Sequence, residues 1–435
     1  MREKELIVYR QEGSGGRLLS DMAWLMEHYG DAGEREAARS VLYECMHGLL
    51  ELAGSHGFSG NLWHCYLSNL LVNHENSYSR ACEIRGAVEG TINEAVLHDI
   101  EIYKEFFDLD FQEMMRTLDA PFFSLALSYE GNRQESKVYN TRIRSRICEL
   151  AECLAAQKTA EEMKEKLTEF YREYGVGRFG LHKAFRISHR EDRQGKGSAL
   201  IEPILNIAHV RLDDLVGYET AKRKLIENTE AFVQGRQANN CLLYGDAGTG
   251  KSSSIKAIAN EYYGQGLRII EVYKHQFQDL NDVIAQIKNR NYRFILYMDD
   301  LSFEDFEIEY KYLKAVIEGG LEKKPDNVLI YATSNRRHLV REKFSDKREQ
   351  EDDLHSSDTV QEKLSLVSRF GVTIYFGAPD KLQFQEIVKT LAARNGVEMP
   401  QEELLLEANK WELFHGGMSG RTAQQFIDYL LGTRG

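Results

Sequence analysis

The chain has 435 residues, with 55 Lys or Arg against 68 Asp or Glu, a formal charge of −13. Its 42% apolar and 28% charged residues are the balance of a folded globular chain, not a disordered one, and its length suits two or three domains of about 150 residues. The acidic balance argues against a surface coated for nonspecific nucleic-acid binding, leaving room only for a local basic patch.

The first 200 residues hold one proline, Pro121, which suggests a largely helical first half, because helix interiors exclude proline. Residues 38–53 and 95–118 place apolar side chains at three- and four-residue spacing, the helical period. Residues 141–174 are dense in good helix formers. The longest apolar runs, such as Phe122–Leu127, fall far short of the roughly 20 residues that a bilayer span needs. A helical N-terminal domain is therefore expected over 1–187, followed by a polar, glycine-bearing linker over 188–200 (SHREDRQGKGSAL).

Beyond it, short β-branched or aromatic runs alternate with helical ones. NNCLLYG, LRIIEVY, YRFILYM, NVLIYAT and VTIYFG are five expected strands between residues 239 and 377. Strands apolar on both faces and separated by helices imply a parallel sheet covered on both sides. Residues 380–435 read as helices only, and the charge-dense run 341–358 as a solvated loop.

GDAGTGKS, Gly245–Ser252, fits the phosphate-loop pattern G-x-x-x-x-G-K-[ST] and sits where that loop must, between an expected strand and an expected helix. Glycines let backbone N–H groups converge on phosphate oxygens, assisted by a helix N-terminus. Lys251 is then the residue that reaches the β- and γ-phosphates, and Ser252 the hydroxyl ligand of Mg²⁺. FILYMDD places Asp299 and Asp300 at a strand tip, 48 residues after Lys251. Asp299 suits the metal, and Asp300 is placed to orient or deprotonate attacking water.

From here the sequence resembles the AAA+ superfamily of P-loop ATPases. LDDLVGYETAKRKL is similar to the adenine-contacting segment, with Val216 and Gly217 at the contacting positions. IYATSN ends in Asn335, which resembles the sensor-1 residue on the strand lying between the two motif strands. KLSLVSRFG puts Arg369 at the arginine-finger position and SGRTAQQF puts Arg421 at sensor 2, on an all-α lid. More closely, residues 203–431 resemble a bacterial AAA+ family catalogued only as a domain of unknown function, through phrases such as LLYGDAGTGKSS and PDNVLIYATSNRRHL. The resemblance implies an α/β AAA+ module with a five-stranded parallel sheet over 201–378, a lid over 379–435, and ATP with Mg²⁺ as cofactors. It makes Lys251, Asp300, Asn335, Arg369 and Arg421 catalytic. It puts Val216, Gly217, Gly245, Asp246, Ala247, Gly248, Thr249, Gly250, Lys251, Ser252 and Ser253 around the nucleotide, and Ser252 and Asp299 on the metal.

An arginine finger also implies self-association into a ring or other oligomer, because it completes the neighbouring copy's site. Where most of the superfamily has Glu, this chain has Asp300, one methylene shorter; Glu304 is a second candidate for positioning water. The Asp-Asp pair is usual in the resembling family. No aromatic–hydrophobic–Gly pore loop follows the second strand, which disfavours a protein unfoldase and leaves nucleic-acid remodelling or complex assembly relatively better placed, although nucleic acid is not the favoured partner. The absence of N-K-x-D, a guanine-reading motif, points to ATP over GTP. The basic cluster 334–348 could touch nucleic acid or an acidic neighbour.

Six scattered cysteines without C-x-x-C indicate neither a disulfide framework nor a zinc site. With no signal-peptide core at the N-terminus, a cytoplasmic ATPase is expected, without a membrane partner. A protein client for residues 1–187 is compatible with this reading. The alternative is an ATP-dependent assembly switch or DNA-associated loader with little intrinsic turnover, and a P-loop kinase is a third reading.

Overall fold

The computed structural model describes residues 2–11, 13–86, 88–131, 141–191, 197–205, 207–303, 309–318, 324–336, 339 and 366–434. The chain divides into two compact units, Met1–His182 and Lys183–Gly435.

The first unit is built of helices around a core that includes Trp63, Tyr103, Phe106 and Tyr171, all fully buried. The expected helix over 38–53 extends across Arg35–His56. The expected 95–118 helix is two, Ile92–Phe107 and Phe111–Thr117. Asp110 stops the continuation, because its carboxylate caps the second helix by accepting from Gln112 N at 2.9 Å. The 141–174 stretch likewise splits into Thr141–Ala155 and Ala160–Tyr174, where Thr159 and Glu162 form a reciprocal capping box. Asp99 is fully buried, and its carboxylate accepts from the backbone N–H groups of Ile7, Val8 and Tyr9. Those amides replace the hydration that a buried charge loses, so the N-terminal strap is tied to the core.

The second unit carries a seven-stranded sheet: β1 Ala184–Glu191, β2 Gly197–Pro203, β3 Cys241–Gly245, β4 Leu267–Glu271, β5 Arg293–Met298, β6 Val328–Ser334 and β7 Val372–Phe376. The order is β2-β1-β4-β5-β6-β3-β7. All neighbours are parallel except β1 and β2. The five expected strands are present, and β6 lies between β5 and β3 as the resemblance implies.

The expected linker is corrected: 188–200 lies largely within the β1–β2 pair, so the sheet has seven strands, not five. Charge concealed a short period-two pattern. Phe185, Ile187, Ala199 and Ile201 are at most 5% exposed, while Arg186, Ser188 and Ser198 and the half-buried Leu200 take the alternate positions. Register pairs Ile187 with Ile201, and Gln276 donates to Ile187 O at 3.0 Å. The pair covers the edge of β4 that a five-stranded sheet would leave open.

The lid is three helices, Lys381–Arg394, Gln401–Phe414 and Gly420–Arg434, around Phe384, Ile387, Val388, Phe426 and Ile427. Asp380 starts the first with a capping box to Gln383. Among the described residues, no helix is long and apolar enough to cross a membrane. Glu304 and the 341–358 run lie outside the described residues, as does most of the basic cluster 334–348.

Candidate functional site

β3 ends at Gly245, where the chain must turn into the helix Lys251–Tyr262. Gly245 has φ of +136°, and a Cβ there would stand 2.0 Å from Phe376 O on β7, so only glycine fits. Gly248 and Gly250 also have positive φ, at +75° and +92°. Thr249 braces the loop by donating to Asp246 O at 2.8 Å.

Lys251 is only 6% exposed and donates to Gly245 O at 3.0 Å and Asp246 O at 2.6 Å. Burial pulls its pKa below the ordinary lysine value, while the charges of Asp246, Asp300 and Asp299 push it back up. The ammonium is therefore desolvated and held by carbonyls, a state that a phosphate anion would relieve.

Opposite the loop, Ser252 Oγ donates to Asp299 Oδ1 at 2.7 Å. The same oxygen accepts from Tyr297 OH at 2.7 Å and Thr333 Oγ1 at 2.5 Å. Burial alone would raise the Asp299 pKa, but the Thr333, Tyr297 and Ser252 hydrogen bonds outweigh it and hold it below the usual value. Asp300 adopts a left-handed backbone, φ +48°, uncommon outside glycine and tolerated by Asp. Its N–H donates to Thr333 Oγ1 at 3.0 Å, and its carboxylate accepts from Asn335 Nδ2 at 2.8 Å.

Phosphate loop, strand tips and lid enclose a cavity of about 700 Å³. It is lined by Val216, Ala247, Gly248, Thr249, Gly250, Lys251, Ser252, Ser253, Asp299, Asp300, Asn335 and Arg421 among the sequence-predicted residues. Arg421 N donates to Gly248 O at 3.1 Å, so the last lid helix is bonded to the loop itself.

Four predicted residues do not line the cavity. Gly245 and Asp246 build the loop from behind, and the Asp246 carboxylate accepts from Ala378 N at 2.7 Å, where β7 leads toward the lid. Gly217, φ +82°, makes the turn into the helix Glu219–Val233. Arg369 pairs with Glu318 at 2.5 Å.

Sequence reasoning missed Thr333 and Tyr297. Each lies on a strand two positions before a named residue that follows that strand's end, and that spacing could have found them. It also missed Lys222, whose Nζ donates to Leu215 O at 2.7 Å, and the lid residues Ile387, Leu391, Gln424 and Gln425, which also line the cavity. Those come together only through tertiary packing.

Residues 182–434 match the family described as "Protein of unknown function (DUF815)". The chain belongs to this family. The DUF815 match begins before β1, so the edge pair lies within the matched region. The DUF815 module is of the AAA+ P-loop type, with a helical region before it. A replication factor C large subunit from Staphylothermus marinus is 36% identical over 74 residues, 17% of each chain. A protein named AAA-ATPase from Arabidopsis thaliana is 30% identical over 125 residues, 26% of this chain and 24% of the other. The DUF815 chain thus spans a quarter or less of these curated relatives. Among solved structures, a mutant RuvB of Thermotoga maritima is 18% identical, with TM-score 0.36, covering 50% of this chain and 64% of its own.

Proposed function

We propose that the second unit binds ATP with Mg²⁺ and hydrolyses it, using the cycle to remodel or assemble a macromolecular partner. The observation that carries this reading is the convergence of Lys251, Ser252, Asp299, Asp300, Asn335 and Arg421 on one cavity. Ser252 and Asp299, whose hydroxyl and carboxylate are bonded at 2.7 Å, form a hard oxygen pair that would hold a small divalent cation. When bound, such a cation would supply neutralisation of phosphate charge and Lewis-acid polarisation.

The chain's own residues would do the rest. Lys251 exchanges loop carbonyls for phosphate oxygens. Asp300, oriented by Asn335, accepts a hydrogen bond from attacking water and draws off its proton. Arg421 brings a lid charge toward the phosphates, so closure depends on nucleotide. Val216, Ile387 and Leu391 supply apolar walls for a purine, and Gln424 and Gln425 supply amides. Arg369, outside its own cavity, would serve the site of a neighbouring copy.

Steady-state phosphate release tests the proposal. Lys251→Ala is expected to lose both nucleotide affinity and turnover. Asp300→Asn should retain binding and lose turnover by about 100-fold or more. Unchanged turnover in Asp300→Asn removes that carboxylate from the mechanism. The second reading, an ATP-dependent assembly switch, is favoured by the short reach of Asp300; nucleotide-dependent assembly without phosphate release would select it.

A further inference from the structure

The nucleotide site uses none of the six cysteines, yet two of them meet in the first unit. Helices Leu62–Asn73 and Thr141–Ala155 pack together and bring Cys65 and Cys148 to an Sγ–Sγ separation of 3.8 Å. Both are free thiols. That is van der Waals contact, against the about 2 Å of a disulfide, so oxidation requires the two sulfurs to close the difference.

The two sulfurs differ. Cys65 is 2% exposed, and its thiol lies 3.6 Å from Ser59 O as well as facing Cys148. Cys148 is half-buried, so a small solute reaches it first. Arg144, one helical turn before Cys148, is fixed by donating from Nε to Gly57 O at 3.0 Å and from Nη2 to Ser59 Oγ at 2.7 Å. The Cys65 hydrogen bond, the Ser59 backbone and the Arg144 charge favour the Cys148 thiolate, against burial and Glu152. The contact with Cys148 and burial keep Cys65 protonated. A cationic, partly exposed setting is what separates reactive thiols from inert ones.

We propose that Cys148 and Cys65 are a peroxide-reactive dithiol, Cys148 attacking and Cys65 resolving, whose oxidation staples the two helices with a disulfide. The substrate class is hydrogen peroxide. The Cys148 thiolate attacks one peroxide oxygen, the O–O bond breaks, and hydroxide leaves and takes up a proton, giving a sulfenic acid and water. Cys65 then attacks Cys148 Sγ. The S–O bond breaks, and its hydroxyl departs as a second water with the proton from Cys65. Two thiols are oxidised to one disulfide while one peroxide is reduced to two waters. Cys45, Cys82 and Cys241 are buried, and burial pushes each thiol's pKa up. Cys153, half-buried like Cys148, is an internal control.

The test is peptide mass spectrometry on the full chain after low-dose hydrogen peroxide and alkylation of remaining thiols. Wild type should lose about 2 Da and yield a Cys65–Cys148 linked peptide, reversed by dithiothreitol. Cys148 should react at least about tenfold faster than Cys153. Cys65→Ser should stall at a sulfenic acid on Cys148 that dimedone traps, and Cys148→Ser should leave Cys65 reduced at the same dose. Thermal melting should rise on oxidation in wild type but in neither variant. The wild-type result stands even if a variant does not fold. A folded, peroxide-treated wild type without the linked peptide, oxidation of Cys153 as fast as Cys148, or dimedone labelling of Cys65 in Cys148→Ser overturns the proposal.

Discussion

Thr333 shows how one buried hydroxyl organises the candidate site. It donates to the Asp299 carboxylate and accepts from Asp300 N–H, coupling the proposed metal ligand to the proposed base. Thr333→Val keeps the shape and removes both bonds. It should cost about 1 kcal/mol in denaturant unfolding, because a hydrogen bond to a solvent-screened carboxylate is lost and the Asp300 N–H loses its acceptor. It should also raise the Asp299 pKa. A carboxylate with a depressed pKa contributes stability that is complete above its unfolded value of about 3.9 and disappears as pH falls through the folded value. The mutant should therefore lose stability at higher pH than wild type on acid titration, and identical acid midpoints would contradict the assigned bonds. Lys251 has the opposite sensitivity. Its pKa is lowered by burial, and nucleotide phosphates favour its charged form. ATP affinity measured by calorimetry should weaken as pH climbs from neutrality toward about 10, with growing proton uptake. A flat profile would separate the ammonium from the phosphates.

At the scale of elements, the phosphate loop has two glycines of different consequence. A Cβ on Gly245 collides with the β7 backbone at 2.0 Å, whereas a Cβ on Gly248 meets the Ser419 hydroxyl at 2.9 Å and Arg421 Cβ at 3.1 Å. Gly245→Ala should therefore destabilise the sheet itself, by about 3 kcal/mol or more. Gly248→Ala should mainly disturb the loop–lid bond, weakening nucleotide affinity with a smaller loss in the melt. Equal melting losses in the two variants would deny this division. The edge pair β1–β2 belongs to the same scale. Its polar face made it read as a linker, while its four alternate apolar side chains cover the sheet. A two-residue period over so few positions is weak against a run of charges, and partner strand β4 had to be in place before its meaning was plain.

For the whole molecule, the placement of Arg369 raises the question of assembly. It is held by Glu318 and does not line its own cavity, and among the described residues its Nε is buried without a hydrogen-bond partner. If it completes a neighbour's site, Arg369→Ala and Lys251→Ala proteins should each be inactive alone. Mixing them should restore part of the phosphate release, because mixed neighbours contain one intact site. No recovery across mixing ratios would confine Arg369 to a structural role.

The sequence by itself located residues of the second unit that line the candidate site. The phosphate loop and the Asp-Asp strand tip are local patterns in which residue type and secondary structure act over a few positions, whereas Asn335 and Arg421 were picked out by the AAA+ resemblance. The alternation of buried strands with helices gave a parallel sheet, while the place of β6 between β5 and β3 came from the AAA+ resemblance and is seen in the strand order. Tertiary structure alone decided what depends on distant contacts: the pairing of charged edge strands, the bond from Asp246 to Ala378, the lid side of the cavity, and the meeting of Cys65 with Cys148. Spacing along the chain carries no signal for such pairs. Their proximity is set by how helices and sheet pack, and packing is the sum of many weak apolar contacts that no short motif records.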